Sequence, residues 1–201
     1  LVKYGADIHT DIDLPLVAAS VNNNHELVHF IMETGGYDQV VRNTAFIDAC
    51  MRNNRHMIAL LADDSIGRGI VLEGLHKLVY NGALETIQDL LDDTYTSAEL
   101  RGLTEFAIMC NNLDVVTYLL ERCPDNARNI YVINVACKYA NVDVFRLVAG
   151  VGRWPSTWPE SWYRVAVITV AVRGKLEILE CLVEMGLDIT ILKSEEVRNC
   201  E

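Results

Sequence analysis

The chain is expected to fold as an all-α solenoid of helix-turn-helix pairs, and three observations carry that expectation. Apolar residues recur at helical spacing in short runs, as in Leu176, Ile178, Leu179, Leu182 and Val183, the offsets that line one face of a helix. That run opens at Gly174 and stops at Gly186, where a left-handed cap is wanted. Its relatives open at Asn23, Asn53, Gly82, Asn111 and Ala140, so that successive openings are 30, 29, 29, 29 and 34 residues apart. A fixed period of that size is the mark of stacked repeats.

Taken in order, Leu1 to Ile8 reads as the back half of a unit, with Gly5 as its cap, so the chain is expected to be a piece of a longer array. Pro15 suits the first turn of a short helix, and Ala18, Ala19 and Ser20 allow close approach by the next element. Asn22 to Asn24 break that helix. A second one is expected to bury Leu27, Val28, Phe30 and Ile31 and to end at Gly35 and Gly36. The next unit repeats this with Phe46, Ala49 and Cys50, then Met57, Ile58, Leu60 and Leu61. Leu75, Leu78 and Val79, then Ile87, Leu90 and Leu91, do so around Gly82. Around Asn111 the pairs are Phe106, Ala107 and Ile108 with Val115, Val116, Leu119 and Leu120, and Thr104 is expected to weaken the start of the first helix. Ile133, Ala136 and Cys137 precede Ala140, and Val142, Val144, Phe145 and Val148 follow it. The array spans 1–201 as a half repeat at 1–8, repeats at about 9–37, 38–65, 66–94, 95–124, 125–152 and 153–189, and the start of a further unit or cap at 190–201.

These units resemble ankyrin repeats. Leu14-Pro15-Leu16 with Ala18 and Ala19 stand for the front half of that family's pattern, and Gly174-Lys175-Leu176-Glu177 with Gly5-Ala6-Asp7 for the back. The period is shorter than the family's usual length of about 33 residues, and Ser65, Thr94 and Cys123 replace the cap glycine in the middle units. The missing residues fall between helix pairs, so short or reduced β-hairpin fingers are expected. Trimmed arrays of this kind resemble those of large DNA viruses, which would place the protein inside a host cell.

Composition narrows the function. The 28 acids against 17 Lys and Arg leave a net charge of −11, which repels nucleic-acid backbones and favours basic partners. No apolar run reaches the ~18 residues of a membrane span, and no signal-peptide pattern opens the chain, so an intracellular protein with no membrane contact is expected. Six cysteines occur without a C-x-x-C pair and read as free thiols. Cys50 and Cys137 hold the same repeat position as small packing residues.

The long last interval contains GVGRWPSTWPESWYR, which holds all three tryptophans. Pro155 and Pro159 disfavour a regular helix there. A stiffened loop presenting Trp154, Trp158, Trp162, Tyr163 and Arg164 has the residue types of an interface hot spot, the alternative being a lid over the last repeat junction. Trp158 is assigned to the loop's tip as a contact, and Trp162 to packing near a helix beginning close to Val165. The resemblance also implies that residues just before each opening face a concave surface: Val21, Met51 and Arg52, Tyr80, Met109 and Cys110, Lys138 and Tyr139, Val172 and Arg173. Met51, Tyr80, Met109 and Tyr139 are the candidate contacts of this apolar track, each otherwise covered by a neighbouring loop.

Catalytic signals are absent. His25 and His29 share a helical spacing without a third ligand, so no metal is expected. Gly67-Arg68-Gly69 lacks the rest of a phosphate loop and reads as a flexible connection. Asp63-Asp64 and Asp92-Asp93 fall at helix C-termini, against the dipole. The expected function is therefore a non-catalytic module that binds another protein, without cofactor. The alternatives are a recognition or regulatory part of a larger enzyme whose catalytic domain lies outside this chain, and an array that self-associates through the tryptophan loop.

Overall fold

The computed structural model describes residues 14–34, 37–63, 65–154 and 158–187. Among them the structure is helical throughout, without a strand. The half repeat at 1–8, Gly35 and Gly36, Asp64, Pro155 and the unit at 190–201 lie outside the described residues. The chain divides into two compact units, residues 1–91 and 92–201.

The first unit contains three helix pairs: α1 (Leu14–Val21) with α2 (His25–Thr34), α3 (Gln39–Met51) with α4 (Arg55–Leu61), and α5 (Arg68–Asn81) with α6 (Leu84–Leu90). First helices pack in sequence, α1 on α3 and α3 on α5, and α2 packs on α4. The second unit contains α7 (Ser97–Cys110) with α8 (Leu113–Arg122), α9 (Ile130–Tyr139) with α10 (Val142–Gly152), and α11 (Glu160–Val172) with α12 (Leu176–Glu184). A short 3-10 helix, Pro124–Arg128, lies before α9. Here too each row packs in order, α7 on α9 on α11 and α8 on α10 on α12.

The turn inside each pair explains the repeat openings. Asn23, Asn53, Gly82, Asn111 and Gly174 all have positive φ, between 50° and 67°. In each turn the opening residue's N–H donates to the carbonyl three residues back and the next N–H to the carbonyl five back, as Asn111 to Ile108 and Asn112 to Ala107, both at 3.1 Å. This is the Schellman arrangement, which needs a left-handed residue and so selects Gly or Asn. Ala140 departs from it, with φ −57° and ψ 148°. Gly186 (φ 88°) closes α12 in the same way, with Leu187 donating to Leu182. The ends of α4, α6 and α8 instead carry the plain helical backbone bond, from Ala62, Leu91 and Cys123 to the carbonyl four residues back.

An asparagine at the opening does a second job that glycine cannot. Asn23 accepts a hydrogen bond from the Asn54 amide, and Asn53 accepts one from the Thr86 hydroxyl at 2.7 Å. Asn111 accepts from the Asn141 backbone N–H at 2.5 Å and donates to the Tyr139 carbonyl at 3.3 Å. Each staples its own turn to the following pair. Where Ala140 has no such side chain, Lys175 of the next pair donates to the Ala140 carbonyl at 2.6 Å.

Second helices bury a narrower seam than their apolar residues suggest. In α12, Ile178, Cys181 and Leu182 are buried, whereas Leu176 and Val183 are exposed. In α2, Val28 and Ile31 are buried, whereas Leu27 and Phe30 are exposed. One residue turns the helix by about 100°, so a seam one neighbour wide leaves these flanking positions outside. Thr104 also departs from expectation: it lies inside α7, fully buried, with its hydroxyl donating to the Leu100 carbonyl at 2.7 Å. The helix starts at Ser97 behind a complete capping box of Thr96 and Glu99.

Candidate functional site

Trp154 and Trp158 pack inward rather than project. Trp154 is 6% exposed and Trp158 7%. Arg153 takes the left-handed position after α10 (φ 56°), and the Trp154 N–H donates to the Ala149 carbonyl at 2.9 Å. That turn drives the indole inward, where its Nε1 donates to the Ala127 carbonyl of the 3-10 helix at 2.8 Å. The ring meets Phe145 edge-on at 5.6 Å and Trp158 at 4.9 Å, and Trp158 in turn lies 5.7 Å from Tyr163. Gly152 makes room for this: a Cβ there would lie 2.2 Å from Trp154 Nε1 and 2.7 Å from the Ala127 oxygen.

The assignment of Trp158 to an exposed tip is thereby corrected, because its ring is the middle of an aromatic stack. The assumed start of the next helix near Val165 is corrected too. Pro159, with φ −64°, is the N-cap of α11, and the helix begins at Glu160. Trp162, Tyr163 and Arg164 thus stand in its first turns, the first two half-buried and Arg164 exposed.

The apolar track behaves differently. Met51, Tyr80 (72% exposed), Met109, Tyr139 and Val172 (62%) are all open to solvent, with no loop among the described residues covering them. In the first unit Met51 borders a groove on α3 and α5 formed with Val40, Ile47 and Ile70 and the acids Asp48 and Glu73. Asp48 is paired with Arg52 at 2.9 Å.

In the second unit the first helices α9 and α11 enclose a groove of 690 Å³, with Glu105 of α7 at its border. Tyr131, Tyr139, Val165 and Val172, all exposed, form its apolar lining. They reach it because the pair-to-pair contact uses the buried positions Val132, Ile133, Ala136 and Cys137 of α9 and Ala166, Val167 and Val170 of α11, which leaves the adjacent helical positions facing outward. Lys138 and Arg173 supply positive charge. The Lys138 ammonium lies 5.0 Å from the Tyr139 ring centroid, and its hydrogen bond pulls the Tyr139 phenol below its ordinary range. The Arg101 guanidinium stands 5.7 Å from the Tyr131 ring and 3.5 Å from Glu105. Burial pushes the Glu105 carboxyl up, with Arg101 opposing.

The remaining sequence candidates have structural roles. His25 stacks on His56 at 4.2 Å, while His29 pairs with Glu33 at 3.4 Å, and no cluster of metal-ligating residues occurs among the described residues. Gly67 is the N-cap of α5, and Arg68 and Gly69 form its first turn, so the expected flexible connection is a helix start. Asp63 Oδ1 and Asp92 Oδ1 accept the backbone N–H groups of Ser65 and Thr94, both at 2.8 Å, replacing the missing glycine caps by side-chain turns. Asp93 pairs with Arg122 at 2.6 Å.

The sequence expectations did not include Arg42. It is 2% exposed in the first turn of α3 and donates through Nε and Nη2 to the Leu61 carbonyl at the end of α4. Only an isolated arginine within an apolar helix face marked it. No helix is long and apolar enough to cross a membrane among the described residues. No family model, no curated protein and no solved structure matches the chain.

Proposed function

We propose that this chain is a non-catalytic protein-binding module built from ankyrin-like helix pairs, and that the outward face of α9 and α11 is its binding surface. The observation that carries this reading is the exposed groove on α9 and α11, where two tyrosines and two valines face solvent beside Lys138 and Arg173. Tyrosine and arginine are enriched at interface centres. A folded domain leaves such apolar groups together in the open where something else is to cover them. The ankyrin-like arrangement is supported by the pairing of helices, the ordered packing of the first helices within each unit, and the left-handed turns at a near-constant period.

The test is affinity capture with the intact chain, compared with a Tyr131→Asp, Val172→Asp variant and with a Phe30→Asp control on α2. Proteins held by the wild type and the control but lost by the double variant are the expected result. Equal capture by all three chains, or capture by none, overturns the reading.

A further inference from the structure

The groove on α9 and α11 carries an unusual charge. In the second unit, Arg101, Arg122, Arg128 and Arg146 each face a carboxylate, and Lys175 is committed to the Ala140 carbonyl. Lys138 and Arg173 have no carboxylate partner among the described residues, and both border the same groove. Glu105, the one acid among the described residues of its lining, is already matched by Arg101. Two uncompensated cations beside an apolar lining stand out in a chain whose net charge is −11.

We propose that this groove takes a short peptide segment of a partner protein in which an apolar side chain is flanked by carboxylates. Val165 and Val172 with Tyr131 receive the apolar side chain, while Arg173 and Lys138 read the acids. An arginine offers a planar fork that matches a carboxylate with two parallel hydrogen bonds. Lys138 is held over the Tyr139 ring, so less freedom is lost when it is engaged. The acidity has to be local to the segment, since a partner acidic over its whole surface would be repelled by the charge of this chain. At this groove the preference is thus opposite to the basic partners that overall composition favours. The proposal rests on the protein-binding reading above and names the chemistry of the partner.

The probe is a random-peptide display library selected on the full chain, with the enriched peptides then titrated by fluorescence anisotropy. The expected peptides place Asp or Glu beside an aromatic or aliphatic residue. Their affinity should fall about tenfold or more in a Lys138→Gln, Arg173→Gln variant, a loss of roughly 1.4 kcal/mol for each factor of ten. Selection on a Lys138→Glu, Arg173→Glu variant should enrich Lys and Arg instead. Thermal melts of the variants, all at surface positions, verify that the fold is intact. Peptides that lose affinity with Val172→Asp but not with the glutamine pair overturn the acidic preference and leave the binding reading standing. Peptides indifferent to both variants sink the two together. Dependence on Lys138 and Arg173 seen only with anionic phospholipid vesicles, and with no selected peptide, replaces the proposal by a membrane surface.

Discussion

Arg42 Nη2 lies 2.5 Å from a carboxylate oxygen of Asp63, and the same nitrogen donates to the Leu61 carbonyl at 2.7 Å. One buried guanidinium therefore closes the C-terminus of α4, which has no glycine cap, and fixes the acid that follows it. Arg42→Met should cost about 2–3 kcal/mol, because the carbonyl loses a charge-assisted bond. Asp63→Asn should cost under about 1 kcal/mol, since that side chain is half exposed and screened. Urea denaturation of both variants decides, and equal costs would contradict this division of roles.

The same pair sets an acid limb. The hydrogen bond from Arg42 holds the Asp63 carboxyl down at about 2, against a usual value of 3.8. A carboxylate with a depressed folded pKa stabilises the fold at pH values above its unfolded pKa, and that contribution is lost as pH falls through the folded value. The stability difference between wild type and Asp63→Asn should be constant above about pH 5 and shrink between about pH 4 and pH 2. A difference that grows on acidification would mean the sign is wrong.

Gly152 and Trp154 are predicted to be strict requirements of the second unit. Gly152→Ala should cost about 2–3 kcal/mol, since its Cβ has no room and the indole must move off its bond to Ala127. Trp158→Ala should cost about 3–5 kcal/mol by opening the aromatic stack, while leaving peptide binding at the α9 and α11 groove unchanged. Loss of binding without loss of stability would restore Trp158 as a contact residue.

Asn111 allows its two duties to be separated. Asn111→Gly keeps the left-handed turn and removes the hydrogen bonds to Asn141 and Tyr139, which should cost about 1 kcal/mol. Asn111→Ala should cost about 1–2 kcal/mol more, because it also forces a Cβ into positive φ. Equal costs for the two, measured by denaturant unfolding, would mean that the turn conformation carries no weight.

Burial pushes the thiols of Cys50 and Cys137 up to about 12. Only the thiolate is nucleophilic, so both should resist iodoacetamide at pH 8 in the native chain and react once it is unfolded. Rapid native labelling at either site, read by mass spectrometry, would contradict their packing role.

What the amino-acid sequence determined by itself is the part of the fold that is local. Whether a residue accepts positive φ depends on its own Cβ and side chain, so the period of openings located every turn, including the extended one at Ala140, and apolar spacing located the helices between them. The resemblance pointed to the outward direction of Met51 and Tyr80 in the first unit and of Met109, Tyr139 and Val172 in the second, a direction that residue position within a helix sets. Tertiary structure alone decided whether an outward direction stays uncovered. It left those positions open, yet it folded Trp154 onto Phe145 and the 3-10 helix and Trp158 onto Trp154, drew Arg42 into the interior, and left Leu176 and Phe30 outside. Burial is a property of two surfaces, and the second of them lies tens of residues away: Ala127 waits 27 positions before Trp154, and Leu61 lies 19 after Arg42.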